Sequence, residues 1–418
     1  MTTSAHPDCA GAQPDLSLDD ALQLIRTTLQ QRALPVVERP LGEALGCVLA
    51  ETLLAPLNLP PFDNSAMDGY ALAAAELPAT GPYDLPLDGR TLAGDSADEL
   101  LPGHARRITT GAPLPAGADT VIVQERVRLD DDVIRFEQLP PLGANIRRAG
   151  EDLSEGTEVL QQGTRLGPLQ IGLLAALGQA TVSVHRRPRV AILSTGDELI
   201  EPGAQRRGGQ IYDSNRFLLL GLLARLGADV VMATNCGDQR EALLKQLEVA
   251  RGMADLVVTS GGVSVGDADL LPELVGQMGQ VHFHRLNLKP GRPVLYADLS
   301  GTPLFGLPGN PVSVLVTSLK LVRPAIELLG GERVRGALQM AAQLEEALDK
   351  PHHRLEFLRG RMTQGASGKL WVRPVRGQGS HQLASLRDAD CLIVVPEGPQ
   401  SYAAGDTITV EPLLPMLS

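Results

Sequence analysis

Between residues 188 and 330 the chain alternates strand-length apolar runs with helix-length amphipathic ones, and this alternation constrains the fold more than any other feature of the sequence. Strands are read at 190–193, 229–233, 255–259, 294–297 and 303–305. Helices are read from Asp213 or Ser214 to Gly227, then over 239–251, 269–278 and 311–329. A parallel crossover needs about a dozen residues, and helices of this length supply them while covering both faces of the sheet. The expectation is a doubly wound α/β domain over 188–336.

The flanking sequence reads differently. Ser17 and Asp20, with Leu18, Leu22, Ile25 and Leu29 spaced by four, three and four, predict a capped helix to about Arg32, and a second helix is expected over 41–54. From 56 to 150 short alternating runs broken by Gly and Pro predict a β-rich block, with a hairpin at Asp130–Asp132 between Val127 and Phe136. Helical character returns at 168–177, so the β block reads as an insertion between two segments, 1–55 and 151–187, of one helical domain. Short strands at 354–362, 370–375, 391–395 and 407–412 predict a small β-barrel over 337–418.

Composition excludes several classes. Lys plus Arg number 37 against 49 Asp plus Glu, a net charge of −12, so the chain's overall field repels nucleic acid. The best apolar run, 217–224, is far short of the ~20 residues that span a bilayer and contains Gly221. Residues 1–15 lack the basic and apolar regions of a secretion signal and read as a frayed tail. Cys9, Cys47, Cys236 and Cys391 are widely spaced without Cys-x-x-Cys, which suits reduced thiols in a cytoplasmic protein.

In an open α/β sheet the ligand lies beyond the carboxyl ends of the strands. The segments there are Ser194-Thr-Gly-Asp197-Glu198, Gly237-Asp238, Ser260-Gly261-Gly262-Val-Ser264-Val-Gly266-Asp267-Ala-Asp269, and Gly306-Leu-Pro308-Gly-Asn310-Pro311. Four strand ends thus place carboxylates and Gly-rich backbone on one rim. For Asp238 and Asp269 taken singly, helix capping explains the residue equally well. Taken together, Glu198, Asp238 and Asp269 suit a hard cation such as Mg²⁺. The backbone from Gly261 to Gly266 and the helix start at Asn310-Pro311 suit phosphate or another oxyanion. Arg285, Lys289 and Arg292 add cations on a turn, for which a solvated surface is the commoner explanation.

Gly262-Val-Ser264-Val-Gly266 also matches a nucleophile elbow, with Asp269 and His282, His284, His352 or His381 downstream. This serine-hydrolase reading is weakened by spacing, because Ser264 lies about five residues past the strand and five before the helix. His282 and His284 read as one polar strand face rather than a metal site. Residues 60–70, containing Asp68-Gly69, together with 107–113 and 145–152, follow no periodicity; the Asp-Gly pair suggests a tight turn.

These segments resemble the molybdopterin molybdenumtransferases, the MoeA and gephyrin E-domain family. The resemblance rests on FDNSAMDGYA at 62–71, TGAP at 110–113, RRAGED at 147–152, STGDEL at 194–199, GGQIYDSN at 208–215, SGGVSVGDAD at 260–269, KPGRP at 289–293, GLPGNPVS at 306–313 and QGSH at 378–381. It implies an elongated four-domain subunit whose α/β part is the molybdopterin-binding fold. It also implies a homodimer whose cleft joins that fold to the β block of the second subunit.

The activity implied is Mg²⁺-dependent insertion of molybdate into adenylylated molybdopterin, with release of AMP and formation of molybdenum cofactor. Asp68 and Thr110 of one subunit would face Glu198, Asp238, Asp269, Pro308 and Pro311 of the other. Asp152, Ser260, Gly261, Gly262, Ser264, Gly266, Lys289, Arg292, Ser380 and His381 would complete the substrate contacts. The implied protein partners are a molybdopterin adenylyltransferase and cofactor-accepting enzymes. Some relatives carry Lys at the positions of Arg285 and Arg292, and Glu at Asp267, which keeps charge but alters reach and donor geometry. A carrier that holds the pterin without turnover is the alternative within this fold.

Overall fold

The computed structural model describes residues 15–263, 270–334 and 336–413. Residues 1–14 of the expected tail, with Cys9, and Ser264, Gly266, Asp267 and Asp269 lie outside them, whereas Asp15, read as the end of that tail, is held in an ion pair with Arg292. The chain divides into two compact units, the first holding residues up to Val37, Gly46–Ala50 and those from Ser183, the second Glu38–Leu45 and Glu51–Val182.

In the first unit one sheet runs in the order Asp229–Asn235, Arg189–Ser194, Leu256–Ser260, Thr302–Leu307, Pro293–Leu299, Gln280–Arg285. The first four strands are parallel, as the alternation predicts. Pro293–Leu299 departs from that expectation, running antiparallel to both its neighbours. The reason is local: only Ser300 and Gly301 join it to Thr302–Leu307, both with positive φ (51° and 109°), and two such residues make a hairpin, never a crossover.

Residues 190–194 and Leu256–Ser260 are buried throughout, and their successive side chains point to opposite faces of the sheet with the period of two that a pleat imposes. Val190, Ile192 and Val258 pack with Leu219 and Leu223 of helix Ser214–Arg225 and with Val314 and Ile326 on one face. Ala191, Leu193 and Val257 pack with Leu243 and Leu247 of helix Arg240–Met253 and with Leu271 and Leu274 of helix Leu271–Met278 on the other. Helix Leu18–Leu29, capped by Ser17 as expected, lays Ala21, Ile25 and Leu29 on the first face. The long helix expected over 311–329 forms as Pro311–Thr317, a π turn Ser318–Val322 and Arg323–Leu329. Pro324 has no N–H to donate to the residue four before it, and the wider turn precedes it for that reason.

Five strands, Met340–Leu344, Leu355–Gln364, Leu370–Pro374, Cys391–Val395 and Thr407–Pro412, close into a barrel when Cys391–Val395 pairs with Leu355–Gln364. Leu288–Lys289 pairs in parallel with the start of Leu355–Gln364 and so joins the barrel to the α/β part.

The second unit is built on a sheet ordered Thr120–Val123, Gly69–Leu72, Ala105–Ile108, Tyr83–Thr91, Val133–Phe136, Arg128–Asp130. Tyr70, Leu72 and Ile122 face one apolar cluster with Tyr83, Ile134 and Phe136, while Ala71 and Val121 face another with Ile108 and Ala112. The hairpin at Asp130–Asp132 forms as expected, with Asp131 at φ 50°.

Two readings are corrected. Residues 41–54 are not a helix: Leu41–Glu43 make a single 3-10 turn, followed by short strands Val48–Leu49 and Leu53–Leu54. Gly42 costs helix stability and Gly46 sits at φ 76°, outside helical geometry. Asp68-Gly69 is not a tight turn, because Gly69 opens the strand Gly69–Leu72. A Cβ at Gly69 would lie 2.1 Å from the carbonyl oxygen of Ile122, so close strand approach is what requires glycine there.

Candidate active site

The four parallel strands end at Ser194, Asn235, Ser260 and Leu307, and a cleft of about 710 Å³ opens beyond them. Its lining brings together Glu198, Asp238, Ser260, Gly261, Gly262, Pro308, Pro311 and His381 from the expected residues, with Thr195, Asn215 and Leu383 added. The expected convergence of separate loops on one rim is thus present within a single unit.

Each wall has an identifiable support. The Asp197 and Asp238 loops brace one another: the Asp197 amide donates to Asp238 Oδ2 at 3.2 Å, and the Asp238 amide donates to Asp197 Oδ1 at 3.0 Å. Asp238 is therefore no helix cap; its carboxylate serves the neighbouring loop, and the helix begins after Gln239. Glu198 folds back over Gly196, where a Cβ would meet its carboxylate oxygens at 2.6 and 2.7 Å. The Glu198 carboxylate has no hydrogen-bond or ion-pair partner among the described residues, so its charge is directed to the cleft.

Gly261 and Gly262 take φ 94° and 67°, successive left-handed positions that close the strand and turn the backbone over Thr195. The Gly261 amide remains in the sheet, donating to the Leu307 carbonyl at 3.0 Å, and does not serve the anion role expected of it. A Cβ at Gly261 would stand 2.7 Å from the Thr195 carbonyl oxygen. Gly261→Ala is accordingly expected to cost about 1–3 kcal/mol of stability and to weaken binding in the cleft, read by thermal melts and ligand titration. A variant as stable as the parent would show that this backbone has room to relax.

Asn215 joins two loops. Its Nδ2 donates to Ser260 Oγ at 2.9 Å and to the Gly309 carbonyl at 2.6 Å. Asn215 Oδ1 and Thr195 Oγ1 are buried without a partner among the described residues, a condition expected where a polar ligand or an ordered water completes a site. Asn310 occupies the N-cap position of helix Pro311–Thr317 without a side-chain cap bond. One amide of that helix start is already used, Val312 N donating to the Ser380 carbonyl at 3.1 Å, which leaves a smaller anion site there than the sequence suggests.

Lys289 and Arg292 do not line this cleft. Lys289 pairs with the buried Glu356 at 2.8 Å and contacts His352 Nε2 at 3.1 Å, while Arg292 pairs with Asp15 at 2.6 Å. Arg285 ends the edge strand Gln280–Arg285 and also lies outside the lining. No sequence pattern announces these ion pairs, because their partners lie far away along the chain.

In the second unit the three aperiodic segments form one knot. The Ser65 amide donates to the Ala112 carbonyl, the Gly111 amide to the Ser65 carbonyl and the Ala66 amide to the Asn145 carbonyl, at 2.8 to 3.0 Å. Within it the Thr110 amide and hydroxyl donate to Asp68 Oδ1 at 2.7 and 2.9 Å, holding this exposed carboxyl below its usual range. Asp152 is exposed, its amide donating to the Leu59 carbonyl at 3.0 Å.

The donor chemistry of the cleft is hard. Glu198 and Asp238 offer carboxylate oxygens, whereas the nearby Cys236 thiol is pushed up to about 11 by burial and stays protonated. No cluster of three or more His, Cys, Asp or Glu able to hold a metal occurs among the described residues. Of the hydrolase histidines, His284 Nε2 is bonded to the Val263 carbonyl at 3.2 Å, His352 to Glu356 at 3.1 Å, and His282 stacks on Tyr296. His381 alone among the four lines the cleft. Cys47, Cys236 and Cys391 are free thiols, and no helix among the described residues is long and apolar enough to cross a membrane.

Comparison with known proteins covers the chain in three parts. Residues 16–178 match the MoeA N-terminal region (domains I and II), 191–328 a probable molybdopterin binding domain, and 341–413 the MoeA C-terminal region (domain IV). A molybdopterin molybdenumtransferase of Haemophilus influenzae is 42% identical, with 89% of this chain and 92% of that protein covered. One of Synechococcus elongatus is 36% identical over 95% of this chain and its own full length. A crystal structure of the molybdopterin biosynthesis MoeA protein of Pyrococcus horikoshii superposes with a TM-score of 0.81 at 29% identity, covering 95% of this chain and 99% of that one.

Proposed function

Since the chain belongs to the molybdopterin molybdenumtransferase family, we propose that it inserts molybdate into adenylylated molybdopterin in the cytoplasm, cleaving the phosphoanhydride, releasing AMP and forming molybdenum cofactor. The observation that carries this reading is the cleft at the strand ends, where Glu198 and Asp238 stand beside the turned backbone of Gly261 and Gly262.

The substrates are anions and the rim is acidic, so like charges must be brought together. Glu198 and Asp238, with Asp269 as a third donor expected from sequence, would hold Mg²⁺, which would supply the neutralising charge. The reciprocal bonds between Asp197 and Asp238 keep those carboxylates in register, and Asn215 fixes the Ser260 and Gly309 loops against which the nucleotide rests. Lys289 and Arg292 are proposed to meet the oxyanion only on leaving Glu356 and Asp15. Asp68 and Thr110 are read as the contribution of a second copy of the chain in a homodimer. The four-domain division over 1–55 with 151–187, 56–150, 188–336 and 337–418 belongs to the same proposal.

The test combines purified protein, adenylylated molybdopterin, Mg²⁺ and molybdate, with AMP and pterin-bound molybdenum as readouts. Molybdate-dependent AMP release with metal insertion is expected. Tight substrate binding without that release overturns the transferase reading in favour of a carrier.

A further inference from the structure

Arg359 is among the largest fully buried side chains, 1% exposed, and has no carboxylate at ion-pair distance among the described residues. Burying a guanidinium without a counter-ion is costly, and an apolar side chain of similar volume would be cheaper in a barrel wall. Its donors serve a single loop: Nη2 reaches the carbonyls of Gly377 at 2.6 Å and Gly379 at 3.1 Å, and Nε reaches Ser385 Oγ at 3.1 Å.

Gln378, inside that loop, returns the grip on the backbone of Arg359. Its Oε1 accepts from the Arg359 amide at 3.1 Å, while its Nε2 donates to the Arg359 carbonyl at 2.8 Å and the Val375 carbonyl at 2.9 Å. One side chain thereby completes the hydrogen bonding that a neighbouring strand would provide. The loop carries His381 and Leu383 into the cleft, and its Ser380 carbonyl accepts from Val312 at the start of helix Pro311–Thr317. Gly379 permits this path, since a Cβ there would lie 2.8 Å from His381 Cε1.

We propose that Gln378 and Arg359 are positioning residues, which lock residues 377–385 so that His381 and Leu383 form the barrel-side wall of the substrate cleft. In its effect on turnover this rests on the transferase reading; in its effect on the loop it does not. Burial lowers the Arg359 guanidinium to about 10, which leaves it charged and able to donate at neutral pH.

The test is a double-mutant cycle of Gln378→Met and His381→Ala, read as kcat/KM for molybdate-dependent AMP release. Each single change is expected to lower kcat/KM by about tenfold, and the pair by little more than either alone, because both remove the same wall. A product of about a hundredfold, or an unimpaired Gln378→Met, overturns the proposal. Amide hydrogen exchange read on the full chain is the second measurement: Gln378→Met should speed exchange at Gly379 and Gln382 while the barrel strands keep their protection. Unchanged exchange there overturns the proposal even if wild-type protein shows no turnover, whereas failed wild-type turnover alone counts against the transferase reading. Should Gln378→Met fold poorly, Gln378→Glu, which keeps the acceptor and loses both donated bonds, must show the same coupling and loosening in weaker form, and its absence overturns the proposal.

Discussion

Glu198→Gln lowers the rate of molybdate-dependent AMP release by about a hundredfold or more, while stability stays within about 0.5 kcal/mol of the parent. The two halves of this expectation have separate origins. Glu198 is exposed and its carboxylate bonds to nothing among the described residues, so replacing it with an amide of the same shape removes no structural contact. The lost charge is felt only by what enters the cleft. If the carboxylate shares in holding Mg²⁺, the variant needs a higher Mg²⁺ concentration for half-maximal rate, and titration of the metal shows it. Asp238→Asn serves as a contrast, because Asp238 also accepts from the Asp197 amide and its substitution disturbs the brace between two loops. Wild-type turnover in Glu198→Gln would remove this carboxylate from the chemistry.

How much of the site was legible follows from the range of the interactions that build it. Short buried-type apolar runs mark the strands at 190–193 and 255–259, and strand-end logic then names Glu198, Asp238, Gly261 and Pro308 on one rim, where they lie. Helix signals were reliable where a cap and an apolar stripe agreed, as at Ser17 and Asp213. They failed at 41–54, where apolar spacing imitated a helix that Gly42 and Gly46 interrupt. The Asp197–Asp238 brace, the Asn215 bridge and the Arg359–Gln378 clamp join residues 19 to 94 positions apart, and no local pattern encodes them. The ion pairs of Lys289 and Arg292 are hidden for the same reason: a cationic turn looks free until its distant carboxylates, Glu356 and Asp15, are seen. Strand Met340–Leu344 escaped because its alanines lack the β-branched signature.

Asp213→Ala is expected to be the most destabilising single change near the cleft, at about 3–5 kcal/mol. Asp213 is 1% exposed and does two jobs with one carboxylate: it accepts from the Arg216 amide at 3.1 Å, capping helix Ser214–Arg225, and from Arg216 Nε at 3.1 Å. Arg216 is itself buried, and its other donors reach the Ala233 carbonyl and Glu201. Alanine at 213 leaves a helix start uncapped and a guanidinium deprived of its buried counter-charge, two separate losses in one place. Asp213→Asn separates them, keeping a cap acceptor while deleting the charge, and should fall between alanine and the parent. Glu201→Ala is the control: its side chain is 61% exposed, so losing that partner should cost about 1 kcal/mol or less. Denaturant melts of the three variants order the effects. Because the helix that Asp213 caps carries Asn215 in its first turn, the same substitution should also weaken nucleotide binding, measured well below the shifted midpoint. Equal stabilities for Asp213→Ala and Glu201→Ala would mean that the buried arginine finds water or another acceptor, and that the floor of the cleft does not depend on this carboxylate.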